Sequence, residues 1–402
     1  MNLLEQELNK NKKPTNNAKK IVLTLLILCI ILLIVLLAVI FVLRENKPVK
    51  ESFIVDGAEI TVKEGGILSS DSGTKYISIE YGAELLGYKY FNGEYGKNEE
   101  DRNKCYLQNE NEVIGFEFDN NKIYKINLKD KMQPQYYDLA NNVIKKDDKL
   151  YLTLEDFSKS CNVALQTSSD GKKTEFSTCK YLSDKYSTAI AEQKKYKTVD
   201  TNYENLKAIY YGMAIVSDGS NYGVINSNLE TIIGAKYNSI TFNEYTQEFI
   251  AVDNNNKYGV ISKDGKNNAI DFRYESISII NYSPLLYEVK QNNKYGVLDN
   301  NGNIIVNIEY DKLGSSGNDK NNSVLIIEDV NSEKEDGIVV YSNGKYGIVN
   351  IKTGKLILEC NLEKVYSKTL ADDSIVYYVQ FEGNEIELSE YIKYANTTVV
   401  NL

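Results

Sequence analysis

KYGVISKDGK, residues 257–266, decides the fold because it recurs as KYGVLDNNGN at 294–303 and as KYGIVNIKTGK at 345–355. The Tyr-Gly pair with two apolar residues after it stands at Tyr222-Gly223, Tyr258-Gly259, Tyr295-Gly296 and Tyr346-Gly347. The steps between the tyrosines are 36, 37 and 51 residues. Self-similarity at such a period marks an array in which each copy buries its apolar face against the next. The long last step holds two polar runs, SSGNDKNNS (315–323) and NSEKED (331–336), which read as a loop insertion.

A second marker follows each Tyr-Gly by fifteen or sixteen residues. Ile233, Ala235 and Tyr237 alternate with Gly234 and Lys236; Ile270, Phe272 and Tyr274, then Val306, Ile308 and Tyr310, then Leu358, Cys360 and Leu362 repeat the alternation. Period 2 with polar residues between predicts a half-buried antiparallel strand. An apolar strand such as FIAV or LLYEV, joined by a turn such as DNNNK or KQNNK, precedes each Tyr-Gly strand, giving about three strands per unit. The tyrosines are read as packing anchors between units, and each glycine as a bulge or a close backbone approach. The copies resemble the WG-containing repeat of bacterial proteins, with Tyr at every position of the name-giving Trp. That resemblance implies a β-repeat domain over residues 201–402, closing as a propeller or stacking as an open solenoid.

Upstream, a pattern occurs twice. Tyr76-Ile-Ser-Ile-Glu80 before YGAELLGYKY answers Tyr151-Leu-Thr-Leu-Glu155 before DFSKSCNVAL. In each, a short strand leads to a hydroxyl residue, Ser78 or Thr153, suited to cap a helix, with a carboxylate in the first turn. The segment KYISIEYGAELLGYKY, with its Leu86-Gly87 ending, resembles the small N-terminal domain of copper amine oxidases, often described as a stalk. The second copy has Cys161-Asn162 where Leu-Gly is expected. The resemblance implies an α+β domain over residues 53–182, followed by a linker at 183–200. The copper chemistry of that family lies in other domains and needs His.

Residues Ile21 to Leu43 form an uncharged run in which 20 of 23 side chains are Ile, Leu, Val or Phe. At 1.5 Å per residue it reaches roughly 35 Å, enough for a ~30 Å hydrocarbon core, and predicts a single transmembrane helix. Lys10, Lys12, Lys13, Lys19 and Lys20 precede the run, while Arg44, Lys47 and Lys50 follow it. That bias predicts a cytoplasmic tail at 1–20, a linker at 44–52 and an extracellular body on a single-pass cell-membrane protein.

The fold class expected is therefore mainly β: an N-terminal transmembrane helix, a small α+β stalk-like domain, then antiparallel β repeats. Composition narrows the function. The chain has 402 residues, 46 Lys plus Arg against 56 Asp plus Glu, no Trp and no His. Without imidazole, Ser-His-Asp and Cys-His catalysis and His-ligated metals are excluded within the chain. With a net charge of −10 there is no nucleic-acid footprint. The Asn- and Asp-rich turns lack calcium-loop spacing and read as hairpin turns. Cys360 reads as a small core residue, whereas Cys105, Cys161 and Cys179 are open to pairing in any combination. No catalytic, cofactor-binding or metal-ligating residue is expected. The function expected is non-enzymatic: a cell-surface protein whose array binds an envelope protein or a cell-wall polymer. The alternative is a wall-active hydrolase using paired carboxylates.

Overall fold

The structure, a computed structural model, describes residues 52–97, 101–129, 134–169, 171–318, 320–371 and 374–399. It divides into two compact units, Met1–Ser52 with Thr167–Thr174, and Phe53–Gln166 with Glu175–Leu402. In the described part of the first, the Ser52 amide donates to the Lys172 carbonyl at 2.9 Å and the Gly171 amide to that of Ser168 at 2.8 Å. The second holds both the duplicated pattern and the repeats.

In the duplicated region, helix α1 (Ile79–Leu86) starts where the Ser78 hydroxyl accepts from the Tyr81 amide, and α2 (Leu154–Cys161) where Thr153 accepts from Asp156. Both end on a left-handed residue, Gly87 at φ 76° and Asn162 at φ 52°. Asn is the residue other than Gly that most readily adopts this geometry, so Cys161-Asn162 does the work of Leu86-Gly87. The strands leading into the two helices pair with each other, Ile77 opposite Leu152. Gly82 brings α1 close to α2, since a Cβ there would lie 2.2 Å from the Phe157 ring. Ile77, Ile79, Leu152, Leu154, Phe157 and Phe176 form the core between them. A five-stranded antiparallel sheet joins the same core, running in order through Lys89–Asn92, Lys104–Gln108, Glu112–Glu117, Lys122–Asn127 and Gln135–Asp138.

Residues 183–200, expected as a linker, contain most of helix α3 (Cys179–Gln193), capped by the Thr178 hydroxyl. Its low amphipathy hid it from the periodicity reading. Helix α4 (Tyr203–Lys207) then leads into five antiparallel sheets. Sheet I comprises Thr198–Val199, Met213–Ser217, Tyr222–Asn226 and Thr231–Tyr237; sheet II comprises Ser239–Asn243, Glu248–Val252, Tyr258–Ile261 and Asn268–Tyr274. Sheet III has Ser276–Tyr282, Leu285–Gln291, Lys294–Asp299 and Ile304–Tyr310. Sheet IV has Lys312–Leu313, Gly337–Ser342, Lys345–Asn350 and Leu356–Leu362, with Ile326–Ile327 paired on its second strand. Sheet V has Lys364–Thr369, Ile375–Phe381 and Asn384–Glu387, and helix α5 (Leu388–Val399) follows. A full unit thus has four strands rather than three. The missed strand begins directly after the second marker, as Ser239 after Tyr237 and Ser276 after Tyr274, so the sequence period straddles two sheets.

The two markers of each copy face each other: Tyr222 opposite Tyr237, Tyr258 opposite Tyr274, Tyr295 opposite Tyr310 and Tyr346 opposite Leu362. The register shifts immediately after each pair, at the glycine. A Cβ on Gly223 would lie 2.6 Å from the Ile233 carbonyl and one on Gly296 2.6 Å from that of Val306, closer than any side chain allows. Neighbouring sheets interlock through the next turn. Gly354, at φ +70°, places its α-carbon so near sheet III that a Cβ would lie 2.0 Å from the Ile305 carbonyl, and Gly265 stands in the same relation to Ile232 of sheet I at 2.5 Å. Among the described residues the sheets are not closed on one another by strand pairing; an isolated bridge between Asn322 and Ser367 links the insertion in sheet IV to sheet V.

Two expectations are corrected here. Among the described residues no helix is long and apolar enough to cross a membrane. The two longest, α3 and α5, have 15 and 12 residues, or roughly 22 and 18 Å against the ~30 Å of a bilayer core. The expected fold class and the single-pass membrane localisation are corrected accordingly: no described helix supports a membrane span. The stretch Ile21 to Leu43, the tail at 1–20 and residues 44–51 lie outside the described residues. The cysteine pairings are settled too: Cys105, Cys161, Cys179 and Cys360 are all free thiols.

Candidate functional site

Four charged side chains meet where the duplicated module packs on the repeats. Glu112 and Lys125 come from neighbouring strands of the five-stranded sheet, Lys207 from the end of α4, and Glu244 from the turn after the first strand of sheet II. Strand alternation places Glu112 beside Ile114 and Lys125 beside Ile123 on the core face, so neither charge can reach bulk water. They neutralise one another instead. Lys125 Nζ lies 2.6 Å from Glu244 Oε1, and Lys207 Nζ lies 2.8 Å from Glu244 Oε2 and 3.2 Å from Glu112 Oε2.

Neighbouring side chains add further contacts. Tyr88 donates its hydroxyl to Glu112 Oε1 at 2.7 Å, and Asn162 Nδ2 donates to Glu244 Oε1 at 2.9 Å. Lys125 sits over the Tyr137 ring and Lys207 over that of Tyr203. Burial by itself would raise the Glu244 carboxyl, but the ammonium groups of Lys125 and Lys207 outweigh it and hold the group well below the usual carboxylate range. Glu112 is pulled down in the same contest, chiefly by Lys207 and Lys125. Burial pushes the phenols of Tyr88, Tyr137 and Tyr203 upward, reinforced by the carboxylates beside them, so all three remain protonated. Lys207 is pushed up by Glu112 and Glu244 against its own desolvation. Glu112, Glu244 and Lys207 are therefore charged and the three phenols neutral at neutral pH.

This quartet forms part of the wall of a cavity of about 780 Å³, within the range typical of small-molecule sites. Sheet II contributes Thr241 and Tyr258, sheet III the run from Ile277 to Ile280 and Tyr282, and the insertion residues 322–326. Ser367, Ile375 and Tyr377 of sheet V and Gln135 of the module line it as well. Sheets II, III and V and the insertion in sheet IV thus face one space, which mixes aliphatic, phenolic and hydroxyl groups.

Of the marker residues Tyr222, Gly223, Tyr258, Gly259, Tyr295, Gly296, Tyr346 and Gly347, only Tyr258 lines the cavity. The others lie on the third strands of their sheets and pack there. Sequence reasoning missed the quartet because its members are scattered between residues 112 and 244. A trace was present, since alternation puts Lys125 and Glu112 on apolar faces. Among the described residues no group of three or more Cys, Asp or Glu is placed to hold a metal ion.

Comparison with known proteins bears on the repeats. Residues 222–258, 258–295 and 295–320 match the WG containing repeat family, less than half of the chain. No curated protein matches the chain in sequence. Among solved structures it is similar to dihydro-heme d1 dehydrogenase NirN in complex with DHE, at 10% identity and TM-score 0.25, over 70% of this chain and 52% of that one. It is similar to PorZ, a surface component of the type-IX secretion system of Porphyromonas gingivalis, at 8% identity and TM-score 0.19, over 70% and 37%. It is also similar to the Dos1 propeller, at 11% identity and TM-score 0.22, over 80% and 81%. The chain spans about half of NirN and less of PorZ. Likenesses at such scores carry no argument about fold or activity. What the comparisons establish is that this chain carries WG-type β repeats over residues 222–320.

Proposed function

We propose that the protein is a non-catalytic binding module whose repeat array takes an extended partner, an envelope protein or a cell-wall polymer. The observation that carries the reading is the state of the charges on the cavity wall. Hydrolysis by paired carboxylates requires one of them protonated to act as the acid, with a raised pKa. Glu112 and Glu244, the two buried carboxylates at the cavity, are both pulled below their ordinary range and are tied to the same Lys207 ammonium. A wall built from successive sheets with mixed apolar and hydroxyl groups supports binding.

The test uses the full chain. Binding to insoluble cell-wall material and to purified envelope proteins is measured beside Ser278→Trp, which fills the cavity from an exposed position on its rim. Wild-type binding that falls at least tenfold in the variant is expected. Absence of binding to either class, or sugar release from wall material abolished by Glu112→Gln, refutes the reading.

A further inference from the structure

The outer face of the five-stranded sheet carries a row of aromatic residues that neither the core nor the cavity uses. Phe91 pairs opposite Tyr106, Tyr106 opposite Gly115, Gly115 opposite Tyr124, and Tyr124 opposite Tyr136, so one line of cross-strand neighbours crosses all five strands. Its single gap is filled, because the Tyr124 ring lies over Gly115, where a Cβ would come within 2.0 Å of it. Phe91 and Tyr106 stack at 4.6 Å, and Tyr95 meets Tyr106 edge-on at 5.3 Å. The opposite face buries Cys105, Leu107, Ile114, Phe116 and Ile123. The aromatic row looks outward: Tyr136 is 64% exposed, and Phe91 and Tyr95 are each 37% exposed.

Two residues further along the same strands, hence on the same face, runs a second row: Lys104, Glu117, Lys122 and Asp138. Its signs alternate. Lys104 lies 3.7 Å from Glu117 and 3.6 Å from Glu94, and Glu94 is 2.9 Å from Lys97. The face thus offers hydrogen-bond donors and acceptors in line with an aromatic strip about 19 Å long, taking four strand spacings of ~4.8 Å, and carries almost no net charge.

We propose that this face binds an uncharged polysaccharide lying across the strands. Ring faces and edges of tyrosine and phenylalanine pack against the C–H surfaces of sugar rings, as in other contacts of the aromatic quadrupole with weakly positive hydrogens. The hydroxyls of the same rings are met by the alternating row. Charge selects against the anionic polymers that also stack on aromatics, because Lys104 is compensated by carboxylates and the chain as a whole carries −10. This surface is separate from the cavity, so it stands or falls independently of the role assigned to the array.

The test is affinity electrophoresis of the full chain through gels containing hydroxyethylcellulose, galactomannan, dextran or soluble chitin oligomers, with carboxymethylcellulose as the anionic counterpart. Retardation by at least one uncharged glycan and none by carboxymethylcellulose is expected. Tyr136→Ala and Phe91→Ala, both at exposed positions, weaken the retarding affinity at least tenfold, and Tyr136→Trp retains it. No retardation by any uncharged glycan, or equal retardation of Tyr136→Ala, overturns the proposal. So does light scattering that shows a dimer dissociated by Tyr136→Ala, which would make a second copy of the chain the occupant. Ser278→Trp at the cavity leaves this binding unchanged, which separates the two sites.

Discussion

Replacing Glu244 by Gln keeps the shape of the side chain but removes the one carboxylate that two buried ammonium groups share. Lys125 is then left with Asn162 Oδ1 at 3.4 Å and the face of Tyr137, while Lys207 keeps Glu112 at 3.2 Å. Breaking a buried pair on one side costs about 3–5 kcal/mol, because the surviving charge stays desolvated. A unit of roughly 350 residues has an unfolding entropy near 0.7 kcal/mol/K, from about 2.1 cal/mol/K per residue, so the melting temperature falls by about 4–7 °C. Calorimetry of the full chain at pH 7 measures this. Asp148→Asn at the exposed Arg102–Asp148 pair serves as the control and shifts by less than about 1 kcal/mol. The double variant Lys125→Met with Glu244→Gln removes the orphaned ammonium and is expected to be more stable than the single variant. The pH dependence has a definite sign. Glu244 and Glu112 are held below their ordinary value of 4.5, so their contribution is present above that value and is lost as pH falls toward their folded values. The gap between wild type and Glu244→Gln therefore narrows below about pH 4.5. A single-variant shift under about 2 °C, or a double variant no better than the single, refutes the reasoning.

Two further outcomes follow from the geometry. Gly354→Ala combines a left-handed backbone with a contact 2.0 Å from the Ile305 carbonyl, whereas Gly344→Ala, also left-handed, meets nothing within 4 Å. Chemical denaturation is expected to show about 1 kcal/mol lost at Gly344 and at least twice that at Gly354. At Glu288 burial alone raises the carboxyl, so folding is weakened as pH rises through that range, and Glu288→Gln melts higher than wild type at pH 7 with the difference gone by pH 4.

The parts of the fold legible in the sequence were those written locally. Tyr222 and Tyr237 are fifteen residues apart and pair directly across a hairpin, so spacing alone placed both markers, and the glycine after each tyrosine announced the bulge. Ser78 and Thr153 cap their helices because the hydroxyl, the first-turn carboxylate and the apolar stripe sit within one turn of each other. The first strand of each sheet stayed hidden. SITFN at 239–243 lies at a sheet edge with only one strand partner, and its alternation is confined to Ile240 and Phe242. Helix α3 was missed for a related reason: few of its side chains are buried, Ser183 and Ile190 among them, so it shows no strong stripe. The aromatic row is another case of information that exists only in register. Phe91, Tyr106, Tyr124 and Tyr136 have unremarkable spacing along the chain, and only the pairing of four consecutive hairpins lines them up.

The quartet sets how the module and the array fit together. The module contributes Glu112 and Lys125, the array contributes Lys207 and Glu244, and each half therefore arrives neutral. Within the array Lys207 already lies 2.8 Å from Glu244. Docking adds the crossed contacts, Lys125 to Glu244 at 2.6 Å and Lys207 to Glu112 at 3.2 Å, together with Asn162 to Glu244. Displacing the module along the array would carry Lys125 and Glu112 away from their partners, leaving Glu244 with one ammonium and Lys207 with one carboxylate in a desolvated space. Neutral halves with crossed pairing thus favour one docking register over its neighbours. Because the cavity wall includes residues from both halves, that same register fixes the cavity's shape, and a substitution in the module's sheet that breaks the quartet alters the array's binding space without touching a single repeat.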